Sequence, residues 1–254
     1  MVRCSDRELM AVVLARQLQD GWNGVTPDSP IPLAACLLAQ RLHAPNLDFW
    51  SAMLGINPEP DALAPTSLDA RYLGRVEAIR DFYDVFEYSE TGCDFMFGTG
   101  MQIDRRGNAN NVRTGGPGTG RPLRVGGGQA NASHPVSDAR ILLFATNHAP
   151  EVFVERVDFI SITGFLDAPG ERHRLGLLGG GPVSCVTPMA LLDFAEDETF
   201  RIASVHEDVE LQYVRDRTGF ALPAADPPPR TPPPADEELR VLRVIDRDGV
   251  LRGG

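Results

Sequence analysis

Residues 93–134 read CDFMFGTGMQIDRRGNANNVRTGGPGTGRPLRVGGGQANASH, and this stretch decides how the chain is organised. The run Cys93 to Phe97 has the apolar and aromatic character of a buried strand, and it stops at Gly98. A glycine-rich segment that opens at the carboxyl end of a strand lies where open α/β sheets place their ligands. Glycines at 98, 100, 126, 127 and 128 let backbone N–H groups come close to a phosphate or a developing oxyanion, which a Cβ would obstruct. From Gly98 to His134 the only acid is Asp104, whereas Arg105, Arg106, Arg113, Arg121 and Arg124 bring positive charge into a chain of formal net charge -11. This local field opposes the global one and predicts a polyanionic ligand. The plain alternative is an exposed loop whose arginines serve solubility.

Working outward, Ser5 with Glu8 forms a capping-box pattern, and Leu9, Met10, Val12, Val13 and Leu18 give a helical apolar face that stops at Gly21. A second helix is expected from Pro30 or Pro32 through Leu42, ending before Pro45. Leu47 to Ala52 reads as a strand, and Val76, Ile79, Phe82, Tyr83 and Phe86 recur at helical spacing. Ile141 to Ala145 suits a central parallel strand, which would deliver Asn147 and His148 to the ligand edge, with His134 beside it. Val157–Ile162, Val183–Val186 and Arg201–Val205 are further strand candidates, and Cys185 sits inside such an apolar pattern as a structural residue. Pro223 to Pro234 contains DPPPRTPPP, a linker or wrapping arm, after which Asp236 can cap a short helix bearing Leu239, Leu242 and Val244. The expected organisation is a main domain over 1–222, a proline-rich linker over 223–235 and a C-terminal helix and tail over 236–254.

Composition excludes several chemistries. A length of 254 residues with 43% hydrophobic content suits one large domain or one domain with an appendage. A pI near 4.9 argues against DNA or RNA as partner. All 24 basic residues are arginine, so a P-loop lysine or a Schiff-base lysine is impossible. The G-x-G starts at Gly98, Gly118 and Gly126 each lack the third glycine of a dinucleotide fingerprint, and neither G-x-S-x-G nor H-E-x-x-H occurs. Cys4, Cys36, Cys93 and Cys185 have no metal-ligand spacing and read as reduced thiols. The N-terminal apolar run is too short and too interrupted for a signal peptide or membrane span, so the expectation is a cytoplasmic protein with no metal and no membrane contact.

HAPNL (43–47), GTGMQIDRRGNANN (98–111), VGGGQANASH (125–134), CVTPMALLDF (185–194), SVHEDV (204–209) and RTGFAL (217–222) together resemble the class I coenzyme A transferases, specifically the beta subunit of the glutaconate CoA-transferase type. The C-terminal DEELRVLRVID resembles the closing helix of that family. The resemblance implies an open three-layer α/β/α sheet, an alpha subunit as partner in a heterodimer or heterotetramer, and a site for an acyl-CoA. Coenzyme A then belongs to the substrate, and no separate cofactor is implied. The same resemblance implies that Gly98, Gly100, Gln102, Asn108 and Asn110 line the acyl-CoA pocket and that Gly126, Gly127 and Gly128 face the thioester. Arg124, Asn131 and His148 complete the implied binding set, Arg124 holding a substrate carboxylate or a CoA phosphate.

Beta subunits of the true transferases carry a nucleophilic glutamate directly after the position of Ser51. Here that position is Ala52, which can form neither an acyl anhydride nor a glutamyl thioester, and the nearby Glu59 reads as a surface residue. Loss of the glutamate resembles the ring-opening acyl-CoA hydrolases of steroid degradation, whose alpha subunit supplies the working glutamate. It also occurs in a glutaconyl-type decarboxylase, which has cysteine there. Hydrolysis or carbon–carbon ring cleavage is therefore the leading expectation. A CoA-transferase subunit, a decarboxylase subunit and a noncatalytic binding subunit remain open beside it.

Overall fold

The first helix begins where a serine and a glutamate satisfy each other's backbone. Ser5 Oγ accepts the Glu8 N–H at 3.1 Å and Glu8 Oε2 accepts the Ser5 N–H at 2.9 Å, closing the capping box foreseen from the sequence. The structure is a computed structural model that describes residues 4–51, 55–81, 83, 84, 87, 88, 92–115, 123, 124 and 139–253. In chain order its helices of a full turn or more are α1 (Asp6–Ala15), α2 (Pro30–Leu42), α3 (Glu171–Arg174), α4 (Leu211–Asp216) and α5 (Asp236–Ile245). Its strands are β1 (Asn23–Thr26), β2 (Asp48–Ser51), β3 (Gly55–Ile56), β4 (Ala78–Ile79), β5 (Phe95–Gly98), β6 (Gln102–Asp104), β7 (Ala109–Asn110), β8 (Arg113–Thr114), β9 (Leu123–Arg124), β10 (Arg140–Phe144), β11 (Phe153–Val154), β12 (Pro182–Val186), β13 (Ala190–Phe194) and β14 (Phe200–Val205). The fold is α/β, and the chain divides into one unit of residues 1–97 with 233–254 and a second of residues 98–232.

In the first unit the hydrogen-bonded order is β5-β1-β2-β3-β4. β5, β1 and β2 run parallel, with Thr26 level with Ser51, while β3 and β4 turn back antiparallel. Helix α2 is buried along most of its length, from Ile31 to Ala39, because it is apolar on every side. Helix α5 is amphipathic: Leu239, Leu242 and Ile245 are buried and Val244 is exposed. Its N-cap is Ala235, not Asp236 as the sequence suggested; Glu238 accepts the Ala235 N–H at 2.7 Å, half of a capping box that needs no side chain at the cap itself. The helical spacing over 76–86 is also corrected, since Ala78–Ile79 form β4 and pair with β3, although Tyr83 and Asp84 do lie in a helical turn. Ile79 and Tyr83 are exposed, so that spacing marks no buried face; Phe82 and Phe86 lie outside the described residues.

In the second unit the order is β14-β13-β12-β10, with β10 and β12 parallel and the remaining pairs antiparallel. Ile141, Leu143, Cys185, Leu192, Phe200 and Ile202 from these strands share one core with Ile103 and Phe153. The expected strand over 157–162 is absent. Only an isolated bridge between Ile162 and Ala109 forms there, while Phe153 and Val154 pair with β6 instead. The proline-rich segment runs along β14: Pro223 O accepts the Ile202 N–H at 2.8 Å, Pro229 O accepts the Val205 N–H at 2.9 Å, and the Thr231 N–H returns to Val205 O at 2.9 Å. Prolines lack an N–H but keep a carbonyl, so they can satisfy a strand edge without offering a continuous new one.

Glu8 anchors the first unit. Its carboxylate is 1% exposed and receives Arg243 Nε at 2.8 Å and Arg243 Nη2 at 3.1 Å, while Ser5 Oγ reaches Leu251 O at 2.8 Å. Burial pushes the Glu8 carboxyl up, but the Arg243 fork and the Ser5 N–H outweigh it and the net direction is down. Arg243→Ala should therefore leave a buried carboxylate without its cation and lower stability by about 2–3 kcal/mol in urea unfolding, with the m-value unchanged.

Candidate functional site

The motif GTGMQIDRRGNANN folds as the hairpin β6–β7. Gly107 adopts φ 70, the left-handed turn conformation that glycine tolerates, and its N–H reaches Asp104 O at 2.9 Å. Asp104 Oδ1 accepts the N–H groups of Arg106 at 2.9 Å and Asn108 at 3.1 Å. Burial raises the Asp104 carboxyl above its usual range, more than these donors lower it. Asn108 is 1% exposed; its Nδ2 donates to Asp104 Oδ2 at 3.0 Å and Leu166 O at 3.1 Å, and its Oδ1 accepts the N–H groups of Gly164 at 3.0 Å and Leu166 at 3.1 Å. Leu166 has φ 64, a strained conformation for a branched side chain, and Asn108 holds it on both sides of its peptide. Gly164 is obligatory here, since a Cβ would lie 2.5 Å from Arg106 O and from Asn108 N.

Next along the hairpin, Gln102 Oε1 accepts Asn110 Nδ2 at 2.8 Å and the Asp158 N–H at 3.1 Å, while Gln102 Nε2 donates to Asp158 Oδ2 at 3.0 Å. Asn110 is fully buried, and its Oδ1 accepts the N–H groups of Val112 and Arg113. Gly98 packs against Leu143 and Gly100 against Gln102 O, at points where a Cβ would come within 2.8 and 2.6 Å. The structure thus ties Gln102, Asn108 and Asn110 into the hairpin by hydrogen bonds and packs Gly98 and Gly100 closely at its entry, and the polar atoms of the two asparagines are committed to shaping it.

The arginines of this stretch divide. Arg106 is 8% exposed and donates Nη1 to Asp197 O at 2.9 Å, so it does not present its charge to a polyanion, contrary to the sequence expectation. Arg105 pairs with Glu155 at 3.2 Å, and Arg113 lies over the Phe159 ring at 5.6 Å. The backbone of Arg124 pairs with Arg113 across β8 and β9. Ala52, Arg121, Gly126, Gly127, Gly128, Asn131 and His134 lie outside the described residues.

His148 is 2% exposed, stacks on Phe153 at 4.3 Å, and engages Thr187 Oγ1 at 2.9 Å through Nδ1 and Thr218 Oγ1 at 3.0 Å through Nε2. Desolvation, aided by the nearby charge of Arg217 and by His206, pushes its pKa down to about 4. It is a neutral, doubly bonded imidazole at neutral pH. Glu59 is exposed beside Arg75, whose carbonyl takes its N–H at 2.8 Å. The cysteines form no disulfide, and burial pushes the thiols of Cys36 and Cys185 up, away from reactivity. Among the described residues no group of three or more His, Cys, Asp or Glu could hold a metal, and no helix is long and apolar enough to cross a membrane.

One residue escaped the sequence reading. Ser51 closes β2 with a hydroxyl that is buried and makes no hydrogen bond among the described residues. The available signal was a polar residue ending an apolar strand at its carboxyl edge.

No protein-family model matches the chain. It is 27% identical over 251 residues to a subunit of the 3-oxoadipate CoA-transferase of Pseudomonas knackmussii, covering 95% of this chain and 93% of that one. It is 29% identical over 231 residues to the cholesterol ring-cleaving hydrolase IpdB subunit of Rhodococcus jostii, covering 87% and 83%. The structure of glutaconate coenzyme A-transferase from Acidaminococcus fermentans superposes with a TM-score of 0.85 at 24% identity, covering 97% of this chain and 96% of that one. Over most of its length the chain is thus similar to subunits of CoA-transferases and of a ring-cleaving hydrolase. Here the motif of residues 98–111 holds the hairpin just described, so its asparagines are explained by packing as much as by any ligand.

Two measurements probe this framework. Asn108→Ala would strip partners from Gly164, Leu166 and Asp104 together, and should cost about 3 kcal/mol or more in thermal or urea unfolding. His148 is depressed in the folded state, so the unfolded chain takes up its proton first as pH falls below about 6.5. Stability should accordingly be lost between pH 6.5 and about 4, by up to about 3 kcal/mol. His148→Gln should flatten that part of the pH profile relative to the parent.

Proposed function

We propose that this chain is the beta subunit of a two-subunit enzyme acting on an acyl-CoA, and that the reaction is hydrolysis or carbon–carbon ring cleavage. The observation that carries the reading is Ala52, a methyl group at the position where the family resemblance puts a nucleophilic glutamate. Without a carboxylate there, a covalent acyl or CoA intermediate cannot form on this subunit at that place. Glu59 is no ready substitute, because it sits in an exposed position beside Arg75. The working carboxylate then comes from the alpha subunit, as general base or nucleophile. The likeness to a ring-cleaving hydrolase subunit over most of both chains supports this branch.

In this reading the hairpin carrying Gln102, Asn108 and Asn110, with Gly98 and Gly100 leading into it, forms one rigid wall of the acyl-CoA pocket. Gly126, Gly127 and Gly128 supply N–H groups to the developing oxyanion, an interaction worth about 3–4 kcal/mol per well-aimed donor. Arg124 and Asn131 hold the carboxylate or phosphate groups of the substrate. His148 fixes the backbone behind the site. Coenzyme A enters as part of the substrate, without a separate cofactor, and the reaction takes place in the cytoplasm.

A transferase reading is favoured by the likeness to a 3-oxoadipate CoA-transferase subunit, and it needs a nucleophile outside position 52. The alpha–beta complex treated with acyl-CoA and then borohydride or hydroxylamine separates the two. No modified glutamate should appear on this chain by mass spectrometry, and thioester consumption should proceed without an acceptor acid. A CoA adduct on Glu59 with acceptor-dependent transfer would establish the transferase instead. Arg124→Ala should lower kcat/KM by roughly tenfold or more, through loss of a charge-assisted contact of about 1.5–3 kcal/mol.

A further inference from the structure

We infer that Ser51 is a substrate-contacting residue whose hydroxyl donates a hydrogen bond to an oxygen of the acyl group. The inference rests on the acyl-CoA reading above and adds to it a specific side chain on this subunit.

Strand β2 carries two buried aromatic residues, Phe49 and Trp50, and then ends on Ser51, 2% exposed. Its parallel neighbour places Thr26 at the same level, also buried, and the Thr26 hydroxyl is satisfied by Trp50 O at 3.3 Å. Ser51 Oγ has no such partner among the described residues. Two neighbouring hydroxyls in nearly the same environment thus differ: the fold uses one and leaves the other unused.

Burying a hydroxyl without a partner is unfavourable, and alanine would fill nearly the same space without that penalty. Stability alone gives no reason for serine here, so the group calls for a role outside the fold. Position supplies the role. Ser51 ends the outermost strand of the parallel run β5-β1-β2, at the carboxyl edge where open α/β sheets bind ligands. It directly precedes residue 52, the place of the family nucleophile, where this chain offers only a methyl group.

Among the described residues, further buried polar atoms that make no hydrogen bond sit at other places. Asn23 Oδ1 is at the amino end of β1, and Arg106 Nε belongs to the hairpin turn. Trp50 Nε1 projects to the opposite side of β2 from Ser51 by strand alternation, on a ring stacked against Tyr88 at 4.8 Å. The chemistry of Ser51 is that of a neutral donor shielded from water, suited to a thioester carbonyl or an acyl carboxylate oxygen.

The test uses the alpha–beta complex with Ser51→Ala, titrated calorimetrically with glutaryl-CoA, acetyl-CoA and free CoA, alongside thermal melts. The expected result is affinity for glutaryl-CoA weakened roughly tenfold, unchanged affinity for free CoA, and a melting temperature equal to or above that of the parent. A matching loss on acetyl-CoA assigns the contact to the thioester carbonyl. A loss confined to glutaryl-CoA assigns it to the distal carboxylate. The inference is overturned by unchanged glutaryl-CoA affinity, by an equal loss on free CoA, or by a fall in melting temperature accompanying the loss. If the parent complex binds none of the three compounds, the acyl-CoA reading itself fails and this inference goes with it.

Discussion

The side chain of Asn108 is the constraint on which the second unit is built. One buried amide satisfies Asp104, both peptide groups of Leu166 and the N–H of Gly164, and so ties the β6–β7 turn to a loop far along the chain. No other neutral side chain of this size offers two donors and an acceptor with two lone pairs in one plane. Aspartate would add repulsion against Asp104, and leucine would leave three backbone groups unpaired. The left-handed conformation of Leu166 and the close approach of Gly164 to the Gly107 turn are both held in place by this arrangement.

The buried polar groups of this protein fall into two kinds. His148 and His206 are both enclosed and both fully engaged, His206 binding Thr231 Oγ1 and Thr187 O at 2.9 Å each. Thr187 stands between them, its hydroxyl at His148 and its carbonyl at His206, so the two rings brace one chain segment after β12. Such satisfied groups rigidify a scaffold. Ser51 is of the other kind, buried and without a partner among the described residues, and its place at the carboxyl edge of β2 sets it apart from the other atoms of that kind.

Edge protection shows how composition and architecture meet. A segment with so many prolines cannot add a continuous strand to a sheet, but isolated bridges at Ala224 and Arg230 and its carbonyls cap the outer strand β14, while Arg230 reaches Val209 O at 2.6 Å to hold it there. The segment therefore does structural work along an edge.

The sequence by itself determined the α/β class, the capped first helix, the proline-started second helix, the strands expected over 93–97, 141–145, 183–186 and 201–205, which lie at 95–98, 140–144, 182–186 and 200–205, and the resemblance to the CoA-transferases. These follow from local signals: caps, apolar runs and motif order all act within a few residues. Only the tertiary structure decided which way the charged and polar residues face. Arg106 belongs to a loop rich in positive charge, yet it is buried against Asp197, a residue far away in sequence. Ile162 looked like strand because it is apolar, yet it meets Ala109 in a single bridge, because Phe153–Val154 takes the place beside β6. That Ser51 Oγ has no partner among the described residues was equally invisible, since satisfaction of a buried hydroxyl depends on every atom that folding brings near it, and no spacing along one chain encodes that.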